Sequence, residues 1–164
     1  MDTKAPPSRQ SKTLIIVRHA HRDIVDSDRE TDNGLSDKGK RQAKKIQKYF
    51  RERFKKETPL LISSPKRRCI ETLEPIAKKK KIEIAEHALL DEGGDLRTKV
   101  KNFIKQVEQK PDPIVMVCSH ADWIDTFFDE MIGINSSLQK GGWLELSLES
   151  GQPRLTWMLQ SVAA

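Results

Sequence analysis

The sequence predicts an α/β fold, a three-layer α/β/α sandwich with a mostly parallel sheet and an antiparallel C-terminal edge. Three observations carry that expectation. Short apolar runs at residues 13–17, Leu60–Ser63 and 114–118 read as strands buried on both faces. Segments with apolar residues every three or four positions separate them, as helical crossovers between parallel strands require. From Trp143 onward the chain alternates apolar and polar residues about a turn, which suits antiparallel strands at a sheet edge. With 164 residues there is material for one sizeable core and little room for a second.

The elements follow in order. Residues 1–12, MDTKAPPSRQSK, are polar and Pro-rich and read as a flexible lead-in rather than a signal peptide, so the single domain is expected over 13–164. The first strand, 13–17, runs into a polar, acidic loop over 23–33. Ser36 is a suitable N-cap for a helix with Ala43, Ile46, Phe50 and Phe54 on one face, and Pro59 marks its end. After the second strand, Ser64-Pro65 has the pattern of an N-cap followed by Pro in the first turn. The helix it would open places Cys69, Ile70, Leu73, Ile76 and Ala77 inward. A weaker strand is expected at 81–85, then a loop containing Asp91-Glu92-Gly93-Gly94, then a helix burying Leu96, Val100, Phe103, Ile104 and Val107. The strand at 114–118 leads into a helix with Ile124, Phe127, Phe128 and Met131 on one face. Segments 143–148 and 154–159 form the closing hairpin around Ser150-Gly151-Gln152.

Composition removes several function classes. At 36% hydrophobic and 33% charged residues the profile is that of a soluble protein, and no apolar run approaches the ~20 residues of a membrane span. Two cysteines, Cys69 and Cys118, far apart in the chain, argue against a disulfide framework and for a reducing, cytoplasmic setting. The net charge of +6 raises nucleic acid as a partner. The excess lies on KGKRQAKKIQKYFRERFKK and on Lys78 to Lys81, on helices whose other faces are apolar, with no base-stacking aromatics interleaved. Solvated helix faces and an anionic substrate account for it better than a nucleic-acid site. No phosphate-binding GxxxxGK[ST] loop, HExxH, GxSxG or Cys-rich pattern occurs, so neither a metal nor a cofactor is expected.

Parallel sheets bind ligands at the carboxyl ends of their strands. Past the first strand lie Arg18, His19, His21 and Arg22; past the second, Ser63-Ser64-Pro65-Lys66-Arg67-Arg68; past the strand at 114–118, Ser119-His120. A lone histidine there is ordinarily a polar cap, and a lone arginine a surface group. Two imidazoles among several arginines instead make an anion pocket containing a nucleophile. Guanidinium forks match and neutralise a phosphoryl group, and neighbouring cations keep an attacking imidazole unprotonated.

These residues resemble the histidine phosphatase superfamily, with its phosphoglycerate mutase-like fold. Its Arg-His-Gly after an apolar strand is similar to Val17-Arg18-His19-Ala20, and its Leu-Thr-x-x-Gly-x-x-Gln-Ala to the stretch Leu35-Ser36-Asp37-Lys38-Gly39-Lys40-Arg41-Gln42-Ala43. Its Ser-Ser-x-x-x-Arg-Ala-x-Gln-Thr is similar to Ser63-Ser64-Pro65-Lys66-Arg67-Arg68-Cys69-Ile70-Glu71-Thr72, and its strand ending in Ser/Thr-His to Val117-Cys118-Ser119-His120. The resemblance implies a metal-independent phosphatase with His19 as phosphate acceptor, Arg18 and Arg68 as phosphate clamp and His120 as second imidazole. It implies Glu92, in Leu90-Asp91-Glu92, as leaving-group acid, with Asp91 and Asp122 in reserve. Arg22, His21 and Ser119 are the candidate substrate-binding residues.

Some positions depart from the family pattern. Ala20 stands for Gly, and His21 for the common Glu, Asp or Gln. Arg22 is similar to the extra Arg of an RHGER-like variant, and Asp26 stands where some members carry a phosphate-contacting Asn, so Asp26 is expected to point elsewhere. The chain lacks the cap insertions of phytases and acid phosphatases and is similar in size to the compact bacterial protein-phosphohistidine phosphatases. The implied partner is a phosphorylated small molecule or a phosphoprotein, phosphohistidine included. The alternatives are a phosphoglycerate mutase-type phosphotransferase and a non-catalytic module that binds phosphorylated ligands.

Overall fold

A computed structural model describes residues 11–24, 31–149 and 152–162. The lead-in over 1–10, Asp26 and the turn residues Ser150 and Gly151 lie outside the described residues. Six strands form one sheet: β1 (Lys12–Arg18), β2 (Leu60–Ser63), β3 (Ile84–Glu86), β4 (Ile114–Ser119), β5 (Trp143–Glu149) and β6 (Gln152–Leu159). Their order is β3-β2-β4-β1-β5-β6. The pairs β3/β2, β2/β4 and β4/β1 are parallel, whereas β1/β5 and β5/β6 are antiparallel. This is the expected mostly parallel α/β sandwich with its antiparallel edge.

Alternation along the central strands builds both cores. Leu14 and Ile16 of β1 and Val115 and Val117 of β4 join one cluster with α3 (Leu96–Glu108) and α4 (Ala121–Phe127), through Phe103, Ile104, Trp123 and Phe127. Ile15 and Val17, with Met116 and Cys118, face α1 (Asp37–Phe54) and α2 (Arg67–Lys80) instead, through Ile46, Phe50, Cys69 and Leu73. A strand covered on both faces must be apolar throughout, which is why 14–17 and 114–118 carry no polar residue. No helix among the described residues is long and apolar enough to cross a membrane.

Two local expectations are corrected. Helix α2 opens at Arg67 with Lys66 at its N-cap, not at Ser64-Pro65; the Ser64 hydroxyl lies 2.8 Å from His120 Nε2 and accepts from Lys66 N–H only at 3.4 Å. The third strand begins at Ile84 rather than 81, because Lys81 adopts a left-handed conformation (φ 56°) that ends α2. Beyond α4 the helix widens into a π turn, Phe128–Ile132, closed by Gly133.

The chain crosses from β1 through α1 to β2, skipping a place that β4 later fills from the other face. That insertion sets the carboxyl ends of β2, β4 and β1 side by side, the crevice position of an open α/β sheet. Arg18 is paired with Ser119 and Ser63 with Cys118, so the three polar strand tips share one level.

Candidate active site

The loop after β1 is held from several directions. His19 N–H donates to the Ser119 carbonyl at 3.2 Å, Ala20 N–H to Thr72 Oγ1 at 3.0 Å and His21 N–H to Gln42 Oε1 at 2.8 Å. The His21 carbonyl accepts from the Ser36 N–H at 3.0 Å and from its hydroxyl at 3.2 Å. Ser36 also caps α1 by accepting from Gly39 N–H. A Cβ at Gly39 would be driven into the His21 carbonyl oxygen, so glycine is what lets α1 approach this loop. Ala20, Leu35 and Ala43 fill the remaining contact as a small apolar cluster. The Leu-Ser-x-x-Gly-x-x-Gln-Ala stretch is therefore a clamp on the backbone that follows His19.

His19 is 5% exposed, and its Nδ1 lies 2.8 Å from the Ala20 carbonyl. A carbonyl only accepts, so Nδ1 carries the proton and Nε2 keeps its lone pair. Burial lowers the His19 pKa from 6.5 to about 3, and His120, Arg68 and Arg18 add to that by repelling a positive ring. The imidazole is thus a neutral base with one free nitrogen.

His120, at the start of α4, has its ring 5.5 Å from that of His19. Its Nδ1 lies 3.2 Å from Arg68 Nη2 and its Nε2 lies 2.8 Å from Ser64 Oγ. Guanidinium nitrogens only donate, so Nδ1 accepts here and Nε2–H donates to Ser64. Cys69 Sγ sits 3.6 Å from that same Nε2. Arg68, buried in the first turn of α2, also donates from Nη2 to Glu92 Oε1 at 2.8 Å. Partial burial would raise the Glu92 pKa, but the Arg68 hydrogen bond and the charges of His120, Arg68 and Lys66 bring it below the ordinary carboxylate value. Arg18 donates from Nη1 to the Leu138 carbonyl at 2.9 Å. Arg18 Nε and Arg68 Nε are buried without a hydrogen-bond partner among the described residues. Buried donors of this kind are costly unless an acceptor is supplied.

These side chains line an open cleft of about 430 Å³, into which Arg22, Ile24, Lys140, Ala121 and Asp122 also face. Of the residues singled out from the sequence, the cleft gathers Arg18, His19, Arg22, Arg68, Glu92, His120 and Asp122. His21 and Ser119 are not in it. The His21 ring turns to Ser36, with Nδ1 2.7 Å from Oγ. The buried Ser119 hydroxyl donates to the Leu90 carbonyl at 2.7 Å. Asp91 lies behind His120, its Oδ1 3.7 Å from Nε2 and 3.5 Å from the Ser64 hydroxyl. Lys140 was not anticipated; it reaches the cleft from the turn before β5, where Gly141 N–H donates to the Arg18 carbonyl.

Two comparisons place this architecture among known proteins. Residues 14–94 match the histidine phosphatase superfamily (branch 1). No curated protein sequence matches the chain. Among solved structures, the protein histidine phosphatase SixA complexed with tungstate superposes with a TM-score of 0.76 at 18% identity, covering 90% of this chain and 96% of its own. The SixA-type phosphohistidine phosphatase of Agrobacterium tumefaciens gives 0.72 at 21% identity, covering 90% and 97%. Phosphoserine phosphatase from Entamoeba histolytica gives 0.72 at 17% identity, covering 92% and 98%. At these identities the structural likeness speaks to the fold. Residues 14–94 thus carry the sequence pattern of the histidine phosphatase superfamily, on a fold that the chain shares with these structures over at least 90% of its length.

Proposed function

We propose that this protein, with residues 13–164 acting as one domain, is a phosphatase that works through a covalent phosphohistidine on His19. The observation that carries the reading is the neutral His19 imidazole, its Nδ1–H committed to the Ala20 carbonyl, set beside two guanidinium groups whose buried Nε–H donors have no partner among the described residues. That is a nucleophile next to a place for three phosphoryl oxygens.

In the first step the Nε2 lone pair forms a bond to phosphorus while the bond from phosphorus to the leaving oxygen breaks. Arg18 and Arg68 hold the equatorial oxygens as charge redistributes. Glu92 delivers the proton to the leaving oxygen. Its carboxylate is ionised while paired with Arg68, so that proton arrives with the substrate. A phosphomonoester monoanion carries one, with a second pKa of about 6. As the phosphoryl group takes over the Arg68 guanidinium, Glu92 loses the partner that kept it ionised. In the second step water attacks phosphorus, Glu92 takes a water proton and the P–N bond breaks, which returns the electron pair to Nε2. Arg22 and Lys140 at the cleft mouth contact the remainder of the substrate. The openness of the site and the phosphatases that share the fold favour a small phosphomonoester or a phosphoprotein, phosphohistidine included. Two free, buried cysteines suit a reducing compartment such as the cytoplasm.

The test is p-nitrophenyl phosphate turnover with and without chelator, together with trapping of an acid-labile, base-stable phosphoenzyme. Turnover is expected to survive chelation, and His19→Ala to lower it by ~1,000-fold or more while abolishing the trapped species. Wild-type turnover by His19→Ala would overturn the reading.

A further inference from the structure

The loop that presents Glu92 is gripped from both sides at a single residue. Gly93 N–H donates to Asp122 Oδ2 at 2.8 Å, and the Gly93 carbonyl accepts from Lys99 Nζ at 2.8 Å. Lys99, on α3, also reaches the Asp91 carbonyl at 3.3 Å. The other Asp122 oxygen accepts from Trp123 N–H at 2.7 Å, which anchors the carboxylate to the first turn of α4. Gly93 and Gly94 have φ of +74° and +72°, a conformation that favours glycine. Nothing lies within 4 Å of a Cβ built on Gly93, so no packing bears on that residue from its Cβ side. The Glu92 side chain is 43% exposed and touches Arg68 at its end. Its position over the cleft therefore depends on where the Gly93 peptide is held.

We infer that Asp122 and Lys99 are positioning residues for the proton donor, a two-sided latch on the Gly93 peptide that keeps Glu92 over the leaving group. This rests on the phosphatase reading and sharpens it, because Asp122 stands in the cleft and could be taken for the acid. Both of its oxygens are already accepting backbone N–H groups, whereas Glu92 reaches the phosphate clamp. Proton donation is needed most where the leaving oxygen is a poor leaving group and least where it is activated. A displaced acid has the same signature.

The experiment compares phenyl phosphate with p-nitrophenyl phosphate in wild type, Asp122→Ala, Asp122→Asn and Lys99→Met, with thermal melting of each. Asp122→Ala and Lys99→Met are expected to lose kcat on phenyl phosphate by about tenfold or more and on p-nitrophenyl phosphate by less than about threefold. Asp122→Asn keeps one amide oxygen for Gly93 N–H, giving up the Trp123 N–H contact, and is expected to stay within about twofold of wild type on both esters. If Asp122→Asn is as defective on phenyl phosphate as Asp122→Ala, Asp122 is itself the acid and the latch is wrong. Equal slowing of both esters, or none, in Asp122→Ala and Lys99→Met also overturns it. Should Asp122→Ala fail to fold, Lys99→Met decides from the opposite side of the loop. Wild-type protein inert toward both esters would remove the phosphatase reading, a result distinct from active wild type with unselective variants.

Discussion

Two of the molecule's arginine–carboxylate pairs, Arg53–Glu145 and Arg68–Glu92, have the same chemistry in different states of completion. At the antiparallel edge, Glu145 accepts from Arg53 Nε at 2.5 Å and Nη2 at 2.9 Å, and from Trp143 Nε1 at 2.9 Å. The Arg53 guanidinium lies over the Trp157 ring at 4.9 Å, and Trp157 Nε1 donates to the Tyr49 hydroxyl at 2.7 Å. That pair is bidentate and closed, and it joins α1 to the β5/β6 hairpin. In the cleft, Arg68 meets Glu92 through a single nitrogen, leaves Nε unsatisfied, and shares Nη2 with a histidine. A closed pair stabilises a fold. An open pair at the crevice of an α/β sheet is a poor way to stabilise anything and a good way to receive an anion.

Exchanging the two arginines for alanine should split activity from stability. Arg68→Ala removes a phosphate donor and is expected to lower turnover by ~100- to 1,000-fold. Its effect on the melting temperature should be small, because a buried, half-satisfied cation is removed along with its contacts. Arg53→Ala leaves the largely buried Glu145 carboxylate with only an indole partner. It is expected to cost about 2 kcal/mol, some 4–8 °C in melting temperature, with turnover unchanged. Melting curves and p-nitrophenyl phosphate kinetics on both variants decide it. A turnover defect in Arg53→Ala, or equal destabilisation by both, would erase the distinction.

A smaller activity effect is expected from Gly39→Ala, which touches neither pair. The added Cβ must displace the His21 carbonyl and with it the backbone beyond His19. About a tenfold loss of kcat is expected, with KM for p-nitrophenyl phosphate little changed. If kcat is unaffected, the α1 clamp does not fix the nucleophile.

The contrast also shows what a sequence can reveal. Binary patterning located the layers because each central strand is covered twice, and Leu60–Ser63 has the bounds its apolar run implied. Arg18, His19, Arg68 and His120 could be brought to one edge on paper because a parallel sheet places its strand ends together whatever the loops do. Contacts set by long-range pairing were not visible. Ser64 has the local signature of a helix cap, yet its hydroxyl meets His120, 56 positions away. His21 and Ser119 stand beside the motif in sequence, but the His21 ring turns its Nδ1 to Ser36 and the Ser119 hydroxyl donates to the Leu90 carbonyl. Lys140 reaches the cleft by a returning turn that no periodicity marks. Asp122 is a candidate acid by its spacing from His120, whereas its tie to Gly93 depends on how two loops meet.

The smallest expected effect concerns the energetic burden of the open site. Because His19 titrates at about 3 in the folded chain and at 6.5 when unperturbed, the unfolded state binds a proton below pH 6.5 that the native state refuses. Stability then falls as pH drops, with a slope approaching 1.4 kcal/mol per pH unit, until the native ring protonates. The other titrating groups contribute equally to wild type and to His19→Gln, so their difference isolates this imidazole. Between pH 7 and pH 5.5 wild type is expected to lose about 1 kcal/mol more than His19→Gln, measured by urea midpoints at the two pH values. Parallel losses in wild type and His19→Gln would mean that the cleft accepts a protonated His19, and a ring that is cationic near neutrality cannot be the attacking group.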